Sequence, residues 1–362
     1  MSIEHNVAAA AGQFQIGGEL KSANPYGNGH INDTYRVVFQ QLGAPVSYIL
    51  QRINQNVFKN PVALMENVQR VTAHLAAQVK DQPDRNLRVL SLVPTRDGRG
   101  WYVDAEGNFW RVYLFISGVR SYDAVETTGQ AFQAAKAFGG FQKMLATLPA
   151  PRLNDTIPDF HNTPKRFIAL EQSIAADSAG RAALAKPEIE FALAHKSITG
   201  VLLDANLPER VTHNDTKLNN VLLDENTSEG VCVIDLDTVM PGLALYDFGD
   251  MVRATTSPAF EDEQDLSKVT MQFPMFEALV RGYLSAAGGF LTKAEKQFLA
   301  FSGKLITFEN GIRFLTDYLA GDTYFKVHRE GHNLDRCRTQ FKLVESIEQQ
   351  EEKMNRLVES IE

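Results

Sequence analysis

The sequence predicts an α+β protein with two lobes: a small antiparallel sheet carrying one helix, then a larger and mostly helical part. Three observations predict it. Short β-rich segments are confined to the first third of the chain, helical periodicity dominates after Ile116, and one strand-like pair interrupts the helical part near its middle. At 362 residues, with 44% apolar and 22% charged side chains, the chain is long enough to bury a large core and has the composition of an ordinary globular protein.

The small lobe is expected over residues 1–116. Tyr35–Phe39 and Tyr48–Gln51 read as strands separated by the turn signal Gly43-Ala44-Pro45. Pro61 then offers a favourable first helical position, and Leu64, Met65, Val68, Val71, Thr72 and Leu75 recur at helical spacing through about Lys80. Gly100–Val103 and Asn108–Ile116 flank the turn Ala105-Glu106-Gly107 as a hairpin. The polar stretch Ser117–Ser121 reads as a hinge, and residues 117–362 form the second lobe. Its helices are expected over Ala131–Leu148, Lys186–Ile198, Pro274–Ala287, Thr292–Leu319 and from Thr339 onward. Leu343–Glu348 recurs verbatim as Leu357–Glu362, placing Leu343, Ile347, Met354, Leu357 and Ile361 on one stripe of a long C-terminal helix. Packing on its own lobe is preferred for that helix over a dimerising coiled coil, so a monomer or weak homodimer is expected.

Charge and cysteine usage exclude several classes. The balance of 36 basic and 44 acidic residues, net -8, and the lack of a basic run give no footprint for nucleic acid. Cys232 and Cys337 lie far apart and in no metal-ligand spacing. Met1–Gln15 lacks the features of a signal peptide and no window is apolar enough for a membrane span, so a cytoplasmic location without a membrane partner is expected.

The middle of the chain carries the chemistry. His213-x-Asp215-x4-Asn220 precedes an apolar strand, Val231–Leu236, that contains Asp235. Phosphoryl transfer needs a carboxylate that orients the attacking hydroxyl and accepts its proton, and oxygen ligands for a metal that neutralises phosphate. A tight loop aims Asp215 at a substrate and Asn220 at a metal, while the following hairpin returns Asp235 to that metal's other face. Asp237 lies on the same side if the strand continues, where it is available to a second Mg2+. A structural loop, in which His213 and Asp215 only cap a turn, is the plainer alternative. A hydrolytic metal site lacks further histidines nearby.

H-x-D-x4-N followed by I-D resembles the catalytic loop and metal strand of the aminoglycoside phosphotransferase and choline kinase superfamily. The resemblance implies a protein-kinase-like two-lobed fold, ATP and Mg2+ as cofactors, Asp215 as base, and Asn220 and Asp235 as metal ligands. It also implies that Asp247, in Pro241-x5-Asp247, supports the loop from below, although Asp247-Phe248-Gly249 spells another kinase metal motif. Pro25–Tyr35, an ordinary turn by itself, becomes the expected phosphate-covering loop through Gly27, Asn28, Gly29 and His30. Adenine is expected against Ile49, Phe115 and Ile116 near the hinge. Gln51 stands where the superfamily usually has lysine; Arg52, if the strand end turns, or a lysine elsewhere is expected to take that contact. Glu66 is that cation's candidate partner or else a surface glutamate.

Longer runs extend the likeness over nearly the whole chain. Tyr26–Asn32, Tyr48–Asn54, Thr212–Asn220, Ile234–Gly242 and Gly311–Phe325 resemble bacterial N-acetylhexosamine 1-kinases, among which glutamine at the lysine position is tolerated. This implies an N-acetylated hexose as the small-molecule partner, phosphorylated at its anomeric hydroxyl. Thr238, Arg313 and Tyr324 are then expected around the sugar, with Asp215 at its hydroxyl and Asn32, Lys217 and Asn219 as further contacts. Taken without the family, Arg313 reads as a helix-face arginine in a salt bridge. Kinases of choline, homoserine or another small alcohol are the alternative; a guanidinium near the acceptor opposes a cationic one. A non-catalytic nucleotide-binding protein has no need of the base.

Overall fold

Two neighbouring segments with a period of two build the first sheet in the computed structural model, which describes residues 6–27 and 31–361. The five-stranded antiparallel sheet has the order β1-β2-β3-β5-β4. Its strands are β1 (Glu19–Pro25), β2 (Asp33–Gln41), β3 (Ala44–Arg52), β4 (Tyr102–Val103) and β5 (Phe109–Leu114). The turn between β2 and β3 is Leu42-Gly43 with both φ positive, the geometry that matches strand twist in a two-residue hairpin. Pairing therefore runs on through Ala44 and Pro45, which the sequence assigns to the turn.

β1 is not anticipated. Glu19-Leu20-Lys21-Ser22-Ala23-Asn24-Pro25 is an edge strand with no buried residue, so it carries no apolar alternation to read. Its presence means that the glycine segment joins β1 to β2 rather than preceding the first strand.

Alternation along β3 and β5 divides the sheet into two faces. Tyr48, Leu50, Trp110 and Val112 bury against Phe14, Val37 and Phe39 on the outer face. Ile49, Gln51, Arg111 and Tyr113 point the other way, paired across the strands as Ile49 with Tyr113 and Gln51 with Arg111. Helix α2 (Pro61–Gln78) covers that inner face, following the short α1 (Val7–Ala11). The α2 N-terminus is capped by Asn60, whose side chain accepts from the Ala63 N–H, and Leu64, Met65, Val68, Val71 and Leu75 are buried along it.

After α3 (Arg85–Arg88) and β5, the chain passes through Phe115–Gly118 into β6 (Val119–Arg120), which pairs with β8 (Val221–Asp224) of the larger part. There follow α4 (Thr128–Leu145), α5 (Thr163–Ala176), α6 (Lys186–Ala194), α7 (Val201–Asp204) and β7 (Arg210–Thr212), then the β8–β9 (Gly230–Val233) hairpin and β10 (Met240–Gly242). The chain ends with α8 (Ala244–Thr255), α9 (Phe273–Ala287), α10 (Lys293–Gln297), α11 (Leu299–Leu319), α12 (His332–Glu348) and α13 (Glu351–Ser360). Three expected elements differ. The helix expected over Thr292–Leu319 breaks at Phe298, and the C-terminal helix breaks between Glu348 and Glu351, so the repeated hexapeptide falls on two helices. Its stripe packs inward: Leu343, Ile347 and Met354 are fully buried, and Leu357 and Ile361 lie against the same core. The metal strand stops at Val233, one residue before Ile234-Asp235. No helix among the described residues is long and apolar enough to cross a membrane.

Candidate active site

The loop between β7 and β8 is hung from helix α8 by its backbone. Asp247 accepts from the N–H groups of His213 (2.9 Å) and Asn214 (2.7 Å), and Asp250, one turn further along α8, accepts from the Thr216 N–H (2.7 Å). Asp247 also accepts from Gln142 Nε2 at 2.6 Å, and Gln142 Oε1 in turn accepts from the Tyr283 hydroxyl. Asp247 is fully buried; burial pushes its carboxyl up, and the hydrogen bonds donated to it by the His213 and Asn214 N–H groups and by Gln142 pull it back. The supporting role expected for Asp247 agrees with this geometry, while Asp250 went unread despite its helical spacing from Asp247. Gly249 serves packing: a Cβ there would stand 2.4 Å from Ser302 O, so only glycine lets α8 approach α11 this closely.

His213 ties the loop to the end of the metal strand. Its Nε2 donates to Ile234 O at 2.8 Å and its Nδ1 accepts from the Asp215 N–H at 3.3 Å, which together select one tautomer. The ring is buried and meets Phe138 and Phe141 edge-on at 5.3 and 5.9 Å. Asn214 holds φ +66°, a left-handed conformation that asparagine tolerates, and its side-chain amide donates to Thr238 O.

Asp215 follows with its carboxylate partly open to the cleft. Asn220 Nδ2 donates to Asp215 Oδ2 at 2.9 Å and to the Asp215 carbonyl at 2.8 Å, leaving the Asn220 Oδ1 on the opposite side of the amide. Lys217 Nζ lies 3.2 Å from the same Asp215 oxygen. Burial alone would lower the Lys217 ammonium, but the carboxylates of Asp215, Asp235 and Asp250 outweigh it and hold its pKa above the lysine range. The buried Oδ1 of Asn219 has no hydrogen-bond partner among the described residues, an acceptor that a ligand donor would satisfy.

Asp235 leaves β9 in a left-handed conformation (φ 60°, ψ 60°) and opens a 3-10 turn, Leu236–Thr238. Its own surface faces the cleft, yet crowding by the surrounding protein, and then the charges of Asp237 and Asp215, push its carboxyl up to about 6. Such an under-neutralised carboxylate beside a second carboxylate and an amide oxygen is a donor set that suits Mg2+, which binds oxygen and completes its shell with water and phosphate. Among the described residues no three His, Cys, Asp or Glu side chains converge as a complete cage, so phosphate oxygens would have to supply the remainder. If Asp235 is a ligand, a proton competes there with the cation. We therefore expect the Mg2+ concentration that half-saturates ADP binding to rise as pH falls through about 6, approaching tenfold per unit. A requirement unchanged between about pH 7.5 and about pH 5.5 excludes Asp235 as a ligand.

Asp237 does not remain on the face of Asp235, because the 3-10 turn rotates it. Both its oxygens are taken: Oδ1 pairs with Arg111, and Oδ2 accepts from Asn32 Nδ2 at 2.6 Å. The expectation that Asp237 serves a second metal is corrected accordingly, and Asn32 is directed at Asp237.

On the small lobe, Gln51 is held within the sheet, donating to Thr34 Oγ1 and accepting from Arg111 Nε, both at 3.0 Å. Arg52 does not replace the lysine. The strand continues through it, so its side chain falls on the opposite face, bonded to Asp33 at 2.8 Å and Asn108 at 3.3 Å. Glu66 is exposed and accepts from Asn154, taking the surface alternative. The cation on the inner face is Arg111, 1% exposed, which no local pattern marks as functional. Ile49 lines the same face, and Phe115 packs under Arg36 (4.5 Å) and beside Tyr26 (5.9 Å) next to Ile116 at the crossover. Gly27 has φ +79°, a conformation natural to glycine; Asn28, Gly29 and His30 lie outside the described residues.

A second group of expected contacts gathers on the helical side. Thr238 donates its hydroxyl to His213 O at 2.7 Å, against the loop. Arg313, on α11, makes no ion pair among the described residues; it donates to Asn310 Oδ1 at 3.3 Å and lies 5.5 Å from the ring centres of both Phe160 and Phe325. The salt-bridged alternative for this arginine is therefore not found. Asp317 shapes the segment after α11 by accepting from the N–H groups of Thr323, Tyr324 and Phe325, and Tyr324 stands exposed there. Arg166, unread in the sequence, lies near both: burial, and then the Arg313 charge, lower it against the opposing pull of Glu309 and Asp159, and its buried Nε has no hydrogen-bond partner among the described residues. A cavity of about 290 Å3 lies nearby, lined among others by Phe160, His161, Asn214, Met240 and Tyr246; Arg313, Arg166, Tyr324 and Asp215 are not in its lining.

A kinase-like two-lobed fold, with a loop carboxylate held by lysine and asparagine below the sheet and a second carboxylate beside it, defines a phosphotransferase with a hydroxyl acceptor. Residues 22–283 match the phosphotransferase enzyme family, and the chain belongs to it. Solved structures share the fold over nearly the full length. A microcompartment-associated aminopropanol kinase has TM-score 0.61 and 18% identity, covering 96% of this chain and 97% of its own. An aminoglycoside phosphotransferase from Alicyclobacillus acidocaldarius has TM-score 0.67 and 12% identity, with 99% and 98% covered. A spectinomycin phosphotransferase in complex with ADP and spectinomycin has TM-score 0.59 and 12% identity, with 93% and 94% covered.

Proposed function

We propose that this phosphotransferase uses ATP with Mg2+ to phosphorylate the anomeric hydroxyl of an N-acetylhexosamine, giving the sugar 1-phosphate. The observation that carries the acceptor class is the pair of guanidinium groups, Arg313 beside Phe160 and Phe325 and Arg166 near Tyr324, neither in an ion pair among the described residues, with the buried Glu309 carboxylate in the vicinity of both. Two such groups repel choline or an amino alcohol and offer donors to a ligand rich in hydroxyl and carbonyl oxygen. Flanking Phe160 and Phe325, with Tyr324, supply the apolar faces on which a sugar ring rests.

Asp215 orients the acceptor hydroxyl and takes its proton as the bond to phosphorus forms. Asn220 and Lys217 keep the carboxylate aimed, and the Lys217 ammonium spreads positive charge toward the transferred group. Asn220 Oδ1 and Asp235 would hold Mg2+, which when bound neutralises the phosphate oxygens. On this reading the lobes are residues 1–116 and 117–362, and the nucleotide lies between them with its base near Ile49, Phe115 and Ile116. Closure of the cleft excludes water, which otherwise competes as acceptor. A cytoplasmic location and a monomer or weak homodimer complete the reading.

The test is a panel of acceptors assayed for ADP release: N-acetylglucosamine, N-acetylgalactosamine, their unacetylated hexoses, 1-amino-2-propanol, choline and homoserine. The expected result is highest kcat/KM with one or both N-acetylhexosamines and a product that loses phosphate in mild acid, as a glycosyl phosphate does. Preferential turnover of an amino alcohol removes the sugar assignment while leaving the phosphotransferase intact.

A further inference from the structure

We propose that Arg111 is a positioning residue: by pairing with Asp237 across the cleft it latches the sheet to the metal-binding segment and sets the direction of the Asp235 carboxylate. The inference rests on the phosphotransferase family and is independent of which alcohol is the acceptor. Four contacts form one continuous polar line, from Thr34 to Gln51, from Gln51 to Arg111, from Arg111 to Asp237, and from Asp237 back to Asn32 on the small lobe. Asn32 is itself fixed, its Oδ1 accepting from the Asn54 N–H at 2.9 Å. Both oxygens of an aspartate on the helical lobe are thus held by donors from the sheet lobe.

The burial of this pair is the second observation. The side chains of Arg111 and Asp237 are 1% and 3% exposed. A buried ion pair gives little net stability over an apolar pair of the same volume, so its presence points to geometry more than to strength. That geometry is specific here. Asp235 sits between two anchors in an unusual left-handed conformation: the preceding Ile234 carbonyl is held by His213 of the helical lobe, and Asp237 two residues later is held by Arg111 and Asn32 of the sheet lobe. Any shift of the sheet relative to the loop reaches Asp235 within two residues. Arg111 also neutralises one of two adjacent carboxylates that would otherwise repel each other. The Tyr113 ring packs 5.2 Å from the guanidinium, and its buried hydroxyl has no hydrogen-bond partner among the described residues. Gln51, on the neighbouring strand, accepts from Arg111 Nε and so helps to hold the guanidinium toward Asp237.

Arg111→Lys, Asp237→Asn and Asn32→Ala test this in the full chain. Lysine keeps the charge but cannot bridge Gln51 and Asp237 at once. The first measurement is amide hydrogen exchange without nucleotide. Arg111→Lys and Asp237→Asn are expected to exchange residues 234–239 about tenfold faster, with the β2–β3 amides unchanged, and Asn32→Ala to do so more weakly. The second is ADP binding as a function of Mg2+: the half-saturating Mg2+ concentration should rise about tenfold, ADP affinity without Mg2+ should hold, and the Arg111→Lys/Asp237→Asn double variant should be no worse than either single one. Exchange at 234–239 equal to wild type in folded Arg111→Lys and Asn32→Ala overturns the proposal. So does an equal loss of ADP affinity with and without Mg2+, which would make Arg111 a direct phosphate contact. If neither charge variant folds, Asn32→Ala decides: faster exchange at 234–239 supports the latch, and unchanged exchange overturns it.

Discussion

Replacing Asp215 by alanine or asparagine lowers kcat by about three orders of magnitude or more, the range expected for loss of a general base that also orients its substrate. The asparagine variant is the sharper of the two. Its Oδ1 can still accept from Asn220 Nδ2, so the loop keeps its geometry, but the amide cannot take the acceptor's proton. ADP binding should change by no more than about threefold if, as proposed, Asp215 contacts the acceptor hydroxyl and not the nucleotide. Fluorescence or calorimetric titration with ADP, beside ADP-release kinetics, separates the two effects. Turnover within about tenfold of wild type in Asp215→Asn assigns the proton to another group.

Asp247→Ala is expected to cost about 3–5 kcal/mol of stability and to abolish turnover in whatever fraction remains folded. The carboxylate accepts from the His213 and Asn214 N–H groups and from Gln142, and alanine strands all three donors in a fully buried site. The effect reaches the chemistry because those N–H groups are the two immediately before Asp215. Urea unfolding followed by circular dichroism gives the first figure. A variant with wild-type stability and activity would mean the loop holds its shape without α8. The neighbouring Asp250 carries a smaller share, since it receives one loop N–H and is also held by Arg253 at 2.8 Å.

Much of the fold was legible because its signals are local. The strands β2, β3 and β5 announce themselves by alternation and helix α2 by its apolar stripe and Pro61, each within one element. β1 escaped because an edge strand with both faces wet has no apolar period. The breaks at Phe298 and around Gln349 escaped because apolar periodicity runs on across both.

Asp215, Asn220 and Asp235 could be found in the chain itself, since a catalytic loop and its hairpin keep their members within about twenty positions, and spacing over so short a span nearly determines geometry. Asp247 was recognisable only through the family resemblance, not through spacing. The partners that come from elsewhere were not. Whether Gln51 or Arg52 faces the cleft depends on the pleat, and Arg111 reaches Gln51 only through the register between β3 and β5. Asp237 meets that arginine only because a left-handed residue and a 3-10 turn redirect it across the cleft. Arg313 and Arg166 become neighbours through the packing of α11 against α5. Short-range order thus wrote the proposed base and the proposed metal ligands into the linear chain, while the charges around them were assigned by strand register and helix packing. Those depend on contacts between residues far apart in the chain, where no fixed spacing exists to be read.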